Sequence, residues 1–573
     1  MKAVPLSVAV SSLLLVASLL PSAASGQSKG GEQTLSLSAA APKAARQNDP
    51  VPLTLVRAGG TRMDLRAVPY RPPIRQERPE REEPEIEPIE LPGLPQPEAA
   101  LQAPVTPNVA APAASANFAG LDFATWGAGH PPDTVGDVGP NHYIQAVNSS
   151  IGIFNKSDGS RVAALTLNSF MSLGNFGNLC DTNNFGDPVV AYDSFEDRWV
   201  ITDFAFQIDG SGNILNPPGF YQCFAVSKTG DPVSGGWNYF SLHATDGLGD
   251  YPKIGIWPDG IYLSANVFGF PAGGAFMGTR VWAINKAQLY ANAPTVQVVQ
   301  FSPPVAEFTI LPANARLQTG TPPPGSPNYF AVVRQFTNAV SIYKFHVDWN
   351  RISLSTFSGP FIVIAPASWV NPPGSVVEQG GNNLDTVAPR LMMQNQYTNL
   401  GGVESVWQTH TVRGTVAGVV APRYYQTILT GGTVAPTTTQ AFTFAPDTTN
   451  RWMAGLALDR AGDMALGFSA ASSTLFPAIR YAGRLVGDPV NSLPQTETDL
   501  IAGTGAQTGN CGGAACIRWG DYSGMSLAPD GCTFWLTNMY LQTSGLNWLT
   551  RIGSFSFPSC TPTVPGGLQG TVT

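Results

Sequence analysis

Two distant stretches of this sequence follow the same frame. Gly249–Gly260 reads GDYPKIGIWPDG, and Gly520–Gly531 reads GDYSGMSLAPDG. Each frame predicts a strand, a tight Pro-Asp-Gly turn and a second strand, because proline sets φ at the turn and glycine takes the left-handed position after it. A strand pair written twice restricts the fold to architectures that repeat similar sheets.

The repeat extends over most of the chain. From about Asn117, runs of aromatic, Val, Ile and Thr residues alternate with Gly, Pro, Asn and Asp turns, which is an all-β pattern. A third strand follows each strand pair, and a fourth follows most of them, at a spacing of about 55 to 80 residues. The third strands are predicted at IGIFNK (Ile151), FYQCFAVSK (Phe220), RVWAINK (Arg280), SIYKFHV (Ser341), RYYQTIL (Arg423), PAIRYAGRL (Pro477) and LTRIGSFSF (Leu549). Seven four-stranded units over residues 117–561 predict a seven-bladed β-propeller, in which each blade covers its neighbour.

The last unit predicts how the ring closes. It ends at its third strand, LTRIGSFSF, and no fourth strand follows before the tail at 562–573. We expect the missing strand to come from the start of the domain, NFAGLDF at Asn117, so that the first and last residues of the propeller pair.

The residues before the propeller divide into three segments. Residues 1–25 form a signal peptide, with Lys2, an apolar run from Val8 to Leu20 and small residues at the cleavage site. Residues 26–67 lack a clear period, and 68–116 are rich in Pro and Glu, which predicts a disordered, extended spacer. Because no later stretch is apolar for long enough to span a bilayer, we predict a protein that is secreted or displayed at the cell surface.

Cysteine usage agrees with export. The chain has six cysteines and no CxxC pair, which favours disulfides over a metal site. We predict the pairs Cys180–Cys223, Cys511–Cys516 and Cys532–Cys560, although sequence alone leaves other pairings open.

The net charge of −8 excludes one class of partner. There is no basic patch that would attract a polyanion, so nucleic acid is not an expected ligand. We expect a monomer whose partner is a glycan or an extracellular protein.

Repeated aspartates mark the candidate site. The first strands of a propeller begin at one mouth of its central channel, and the predicted strand starts carry Asp133, Asp187, Asp250, Asp385 and Asp521. Three interpretations remain open. The carboxylates can fix loops by accepting backbone N–H groups, bind Ca²⁺ through Asp133, Asp137 and Asp187, or act in pairs as acid and base in glycan cleavage. His130 and His142 lie near Asp133 and suggest either a metal cluster or ordinary turn residues.

Aromatic and basic residues flank these aspartates. Tyr251, Trp519 and Tyr522 offer faces for sugar rings, or they pack between blades. Four arginines could reach the mouth and either form ion pairs there or bind an acidic ligand. They are Arg390, Arg480, Arg484 and Arg518.

Several stretches together resemble a known family. They are HPPDTVGDVGPNHYIQAVN, GDPVVAYDSFEDRW, RWMAGLALDRAGDMALGFSAASS, FPAIRYAGRL and RWGDYSGMSLAPDGCTFWLTNMY. The pattern is similar to large secreted bacterial seven-bladed β-propeller proteins without an established activity, over roughly residues 117–561. The resemblance implies the fold and export, and it assigns no catalytic residue.

Two functions therefore stay open. The chain is either a propeller that binds a glycan or partner protein at its acidic, aromatic-flanked mouth, or an extracellular glycan-cleaving hydrolase or lyase that uses paired mouth aspartates. No GxSxG, HExxH or Walker motif is present, which favours binding.

Overall fold

The computed structural model describes residues 49–77, 88–91, 109–209, 214–215, 219–244, 247–269, 274–304, 307–333, 335–416 and 418–562. The predicted signal peptide, much of the Pro/Glu-rich stretch and most of the tail lie outside these residues. The described chain is all-β, as predicted. Its three α-helices are short: Phe123–Trp126, Leu167–Met171 and Lys286–Tyr290. The 3₁₀ turns are Leu65–Ala67, Ser172–Gly174, Leu179–Asp181, Leu317–Thr319, Ile352–Leu354 and Thr430–Gly432.

Most strands fall into groups of four that pair in antiparallel order along the chain, which we call sheets 1 to 7. Sheet 1 contains Val135–Val138, His142–Val147, Ser150–Asn155 and Arg161–Thr166. Sheet 2 contains Asn184–Asp193, Arg198–Ala205, Phe220–Ser227 and Trp237–Ala244. Sheet 3 contains Leu248–Ile256, Gly260–Phe268, Phe276–Asn285 and Thr295–Phe301.

The second half of the chain continues the same pairing. Sheet 4 contains Leu311–Asn314, Asn328–Val332, Ala339–His346 and Thr356–Ile364. Sheet 5 contains Leu391–Leu400, Val403–Arg413, Val420–Ile428 and Gln440–Thr443. Sheet 6 contains Asn450–Leu458, Met464–Ser472, Leu475–Arg484 and Gln495–Ile501. Sheet 7 contains Gly524–Leu527, Phe534–Tyr540 and Leu549–Phe555, with Ala116–Asp122 as its outer strand. Two-residue strands are Val109–Ala110, Gln207–Ile208, Ile214–Leu215, Ser375–Val376, Leu384–Asp385, Asn510–Cys511 and Ala514–Ala515.

The seven sheets form a closed ring. The first strand of each sheet contacts the first strand of the next, and that of sheet 7 contacts that of sheet 1. Sheets 4 and 5 pair directly there, because Ala313 and Asn314 run parallel to Asn395 and Gln396. We call the end of the ring at which the first strands begin the mouth. The first strands therefore surround a common hub.

The outer strand of sheet 7 comes from the start of the domain. Ala116–Asp122 pairs antiparallel with Leu549–Phe555, which is the pairing that the sequence predicts. Leu121 is completely buried. Its N–H donates to Gln145 of sheet 1 at 2.7 Å, and its carbonyl accepts from Thr550 of sheet 7 at 2.6 Å. The closing strand therefore joins the last sheet to the first.

An additional strand lies in a segment that the sequence analysis expects to be low in order. Val51–Thr61 inserts between sheets 2 and 3. Its first half pairs with Thr295–Phe301, its second half pairs with Trp237–Ala244, and Leu55 is buried between them. Open edges of β-sheets readily accept a strand, so this segment gains order from partners far along the chain.

Parts of the predicted spacer also dock on the ring. Tyr70 donates to the carbonyl of Thr125 at 2.9 Å. Ile89 exchanges backbone hydrogen bonds with Gln335 and Thr337, and Val109–Ala110 runs parallel to Gln495–Thr496. Proline blocks regular helix and sheet but leaves isolated hydrogen bonds available, so these residues are bound to the propeller and do not extend away from it.

The three predicted disulfides are confirmed: Cys180–Cys223, Cys511–Cys516 and Cys532–Cys560. Cys180 precedes sheet 2 and Cys223 lies in its third strand. Cys560 follows the last strand and is tied to the turn of sheet 7 at Cys532. Oxidised pairs of this kind fit an extracellular protein.

None of the helices in the described residues has the length and hydropathy needed to cross a membrane.

Candidate functional site

The mouth ends of the first strands share a backbone feature that the sequence does not reveal. A residue with positive φ recurs there at Asp133 (50°), Asp187 (45°), Tyr251 (54°), Thr309 (55°) and Met453 (52°). The position of Asp133 and Asp187 is therefore taken in sheet 3 by Tyr251. The predicted equivalence of Asp250 with Asp187 is wrong by one residue, because the matching bulges of sheets 2 and 3 begin at Gly186 and Asp250 and so align Tyr251 with Asp187.

Asp133 and Asp187 are buried and bind backbone amides. Asp133 accepts from the N–H of Asp521 at 2.8 Å and from the side chain of Asn148 at 2.6 Å. Asp187 accepts from the N–H of Tyr251 at 3.2 Å. Burial, together with the charges of Asp521 and Asp187, raises the pKa of Asp133 well above its usual range. These contacts link sheet 1 to sheet 7 and sheet 2 to sheet 3. Asp133 and Asp187 therefore fix the connections between sheets, which is the first of the three interpretations given above.

The tyrosines of the two GDY frames, Tyr251 and Tyr522, contact each other across the hub, and we call this pair the tyrosine clasp. Tyr251 of sheet 3 donates its hydroxyl to the carbonyl of Asp521 at 2.9 Å. Tyr522 of sheet 7 donates to the carbonyl of Pro252 at 3.2 Å, and the two ring centroids lie 4.9 Å apart. Because sheets 3 and 7 are not neighbours, these bonds span the centre of the ring. Both rings are buried, so they fill the hub and do not present the open sugar-binding faces that the sequence suggests.

A buried lysine lies under this clasp. The Nζ atom of Lys253 lies 3.0 Å from the ring centroid of Tyr251 and 3.8 Å from that of Tyr522. Burial lowers the pKa of Lys253 well below its usual range, although the carboxylate of Asp187 opposes this effect. Lys253 is not among the site residues predicted from the sequence. Its place two residues after the repeated Asp-Tyr pair is the signal that could have identified it.

Asp137 belongs to the opposite end of the hub. It forms an ion pair with Arg316, which follows the first strand of sheet 4, and both side chains are 1% exposed. Its carboxylate also accepts from the N–H groups of Val138 at 2.7 Å and Tyr192 at 2.8 Å. Four residues of strand separate it from Asp133 by about 13 Å.

The three carboxylates of the predicted calcium site, Asp133, Asp137 and Asp187, do not converge, because those of Asp133 and Asp137 lie at opposite ends of the hub. The described residues contain no group of three His, Cys, Asp or Glu side chains that could hold a metal ion. Calcium binding by this protein stays a prediction.

The side chains of three other predicted site residues are held by contacts within the protein. Trp519 is buried, donates to Ser469 at 3.0 Å and packs against Trp452. Arg480 forms ion pairs with Glu497 and Asp499 on the outer strand of sheet 6. Arg484 donates to the carbonyl of Asp488 at 2.7 Å. These arginines start from the third strand of their sheet, which lies away from the hub.

Five charged residues remain half-buried at the mouth, and we call them the rim: Asp250, Asp385, Arg390, Arg518 and Asp521. Arg518 pairs with Asp521 at 2.8 Å. Asp521 Oδ1 has no hydrogen-bond partner among the described residues. The guanidinium of Arg390 lies 5.0 Å from the ring centroid of Tyr251. Burial raises the pKa of Asp385, whose carboxylate accepts from Val387 at 2.9 Å.

Two long loops support the rim through a buried glutamate. Glu378 is 4% exposed, and its carboxylate accepts from the N–H of Gln507 at 2.9 Å. The side chain of Gln507 in turn donates to the carbonyls of Cys516 and Arg518. Burial raises the pKa of Glu378 to about 8.

This glutamate predicts a pH dependence of stability. Because the folded-state pKa lies above the ordinary one, its contribution is full below the ordinary range and is lost as pH rises through about 8. We expect the melting temperature to fall between pH 5 and 9, and Glu378→Gln to flatten that fall. Thermal melts across this range test it, with the exposed Glu196→Gln as control. Equal slopes for Glu378→Gln and the wild type would contradict the prediction.

The tyrosine clasp predicts a loss of stability. Tyr251→Phe leaves the partly buried carbonyl of Asp521 without its donor, which costs about 1 kcal/mol. Tyr221→Phe is the matched control, since Tyr221 is half-buried and its hydroxyl has no partner in the described part of the chain. Chemical denaturation measures both free energies of unfolding. Equal small losses would mean that the hydroxyl does not hold the hub.

No protein-family model matches this sequence, and no curated protein matches it. Solved structures with a similar chain path include a protein of unknown function from Dyadobacter fermentans, with 12% identity over 65% of this chain and 95% of that one, at a TM-score of 0.35. The Hadza microbial sialidase Hz136 is 10% identical over 73% of this chain and 74% of that one, at a TM-score of 0.34. An endo-arabinase from Bacteroides thetaiotaomicron is 16% identical over 54% of this chain and 96% of that one, at a TM-score of 0.25. At TM-scores this low, the likeness carries no conclusion, and the description of the fold depends on the strand pairing alone.

Proposed function

We propose that this protein is an exported, monomeric seven-bladed β-propeller whose rim binds a glycan or an extracellular protein. One observation supports this most. The two tyrosines fill the hub, and charged side chains of both signs remain half-buried above them. A filled hub leaves a shallow surface, which suits recognition of an extended ligand better than enclosure of a small substrate.

The chemistry of the rim fits a ligand with both donors and acceptors. Arg390 and Arg518 offer planar guanidinium donors, while Asp385 and Asp521 offer carboxylate acceptors. Asp521 Oδ1 lacks a hydrogen-bond partner among the described residues. That oxygen is itself buried, so a sugar hydroxyl or a peptide amide would pair with the exposed atoms of the rim.

Substitution of the rim arginines tests binding. We expect Arg390→Gln with Arg518→Gln to weaken binding at least tenfold to whichever ligand a panel of polysaccharides and extracellular proteins identifies. Arg351→Gln is the control, because Arg351 is 72% exposed beyond the opposite end of sheet 4. Binding that survives in the double variant would place the ligand elsewhere and overturn the proposal.

Glycan cleavage is the second candidate, and one observation favours it. Asp385 has a raised pKa, and Asp521 near it is held in an ion pair with Arg518. Two carboxyl groups at one opening, one with a raised pKa and one paired with an arginine, are an arrangement that acid–base hydrolysis of a glycan can use. Its test is an assay of reducing ends and unsaturated products on the same polysaccharides. Turnover that both Asp385→Asn and Asp521→Asn abolish, with folding intact, would establish cleavage in place of binding alone.

A further inference from the structure

The seam between sheets 7 and 1 presents an unusual set of hydrogen-bond acceptors. The short helix Phe123–Trp126 follows the closing strand, and the carbonyls at the end of a helix outnumber the helical N–H groups that can reach them. The carbonyl of Phe123 accepts from the N–H of Gly127 at 3.1 Å and keeps a second lone pair for another donor. Arg75 from the N-terminal arm binds three of the carbonyls in this loop. Its guanidinium donates to Phe123 at 2.9 Å, Ala124 at 2.6 Å and Gly127 at 3.3 Å. It also lies 4.7 Å from the ring centroid of Phe123.

The next two residues of the arm are recognised as well. The N–H of Gln76 donates to the carbonyl of Ala128 at 2.9 Å. The carboxylate of Glu77 accepts from the N–H of His130 at 3.1 Å and lies 2.8 Å from its Nδ1. His130 Nε2 lies 2.7 Å from the carbonyl of Leu546, in the loop between the second and third strands of sheet 7. The site therefore binds three consecutive residues of the arm: the side chain of Arg75, the backbone amide of Gln76 and the carboxylate of Glu77.

Two features favour the binding of an extended peptide segment at this site. Gly129 has no side chain, and a Cβ there would lie 3.2 Å from the carbonyl of Gln76. Pro72 and Pro73 precede the bound residues and favour an extended backbone, which lowers the entropy lost on binding. The bound residues belong to no sheet, so they can leave without breaking the ring.

We propose that this seam is a recognition site for an extended peptide with an arginine two residues before a glutamate, and that the chain's own Arg75–Glu77 occupies it as a tethered, displaceable ligand. This site is separate from the proposed binding site at the rim, although the positive charge of the rim residue Arg518 contributes to lowering the pKa of Glu77. A partner protein with the same spacing of side chains would compete with the arm.

A labelled peptide in trans tests the proposal. The probe is a fluorescent peptide of residues 68–80, and the proteins are the full wild-type chain and the full chain with Arg75→Ala and Glu77→Ala. A tether holds its ligand at millimolar effective concentration. We therefore expect the peptide to bind the variant at micromolar concentration and the wild type at least tenfold more weakly. A peptide with the same two alanines should bind neither protein.

A second measurement reports on the arm itself. Hydrogen exchange at the amide of Gln76 should be at least tenfold faster in the Arg75→Ala, Glu77→Ala variant, while exchange in the sheets stays unchanged. Arg71→Ala, an exposed arginine of the same arm, should leave both readouts as in the wild type. Peptide binding that is equal in both proteins, or absent from both, overturns the proposal. Unchanged exchange at Gln76 does so as well.

Discussion

Replacing Arg316 with leucine is expected to lower the free energy of unfolding by about 3–5 kcal/mol. The guanidinium pairs with Asp137 and also donates to the carbonyl of Leu527 at 3.0 Å, so it joins sheets 1, 4 and 7 at one end of the hub. Both charged side chains are 1% exposed. Without Arg316, the carboxylate of Asp137 stays buried without its counter-charge, which is the costly case for a buried pair. Urea denaturation followed by tryptophan fluorescence measures the loss.

Two further variants make this result specific. Arg351→Leu removes an exposed pair with Asp348 and should cost no more than about 1 kcal/mol. Asp137→Leu combined with Arg316→Leu should recover part of the loss, because no charge is then left unpaired. A loss for Arg316→Leu as small as that for Arg351→Leu would show that the pair does not hold the hub.

A chain that begins at residue 123 is expected not to fold. It lacks Ala116–Asp122, so Leu549–Phe555 becomes an open edge, and the buried side chain of Leu121 is lost. An unpaired strand edge invites aggregation. The test exports the truncated chain behind a heterologous signal and measures its soluble yield, its circular dichroism and the cooperativity of its melting.

A chain that begins at Pro112 is the matched control. It loses the bridging strand Val51–Thr61 but keeps the closing strand, so we expect a soluble protein that melts cooperatively at a lower temperature. Equal behaviour of the two truncations would mean that the closing strand is not what completes the ring.

The sequence was sufficient for features that follow from local pattern and from closure. Alternating runs and turn residues predict the strands of each sheet. The absence of a fourth strand after Leu549–Phe555 predicts a partner near Asn117, because a ring of sheets must complete its last member. The disulfides followed from pairing cysteines that are close along the chain.

Other features depended on contacts that no local pattern encodes. The strand Val51–Thr61 pairs with residues that lie about 180 to 250 positions later. The short alternation of Val51, Leu53 and Leu55 in its sequence does not indicate which strands it joins. Matching bulges begin at Asp250 and Gly186, so Tyr251 and not Asp250 takes the place of Asp187. The tyrosine clasp explains why the GDY frame occurs twice in the sequence, because each copy supplies one tyrosine to the hub.

Cross-linking tests directly whether residues from the two ends of the domain close the ring. Ala119 and Arg551 lie opposite each other on neighbouring strands, although 432 positions separate them in the chain. In the variant Ala119→Cys with Arg551→Cys, we expect mild oxidation to form a new disulfide that mass spectrometry of proteolytic fragments detects in most molecules. Ala119→Cys with Arg480→Cys, which places the second thiol on sheet 6, should not form one. Two free, alkylatable thiols at positions 119 and 551 after oxidation of the folded protein would contradict the closed ring.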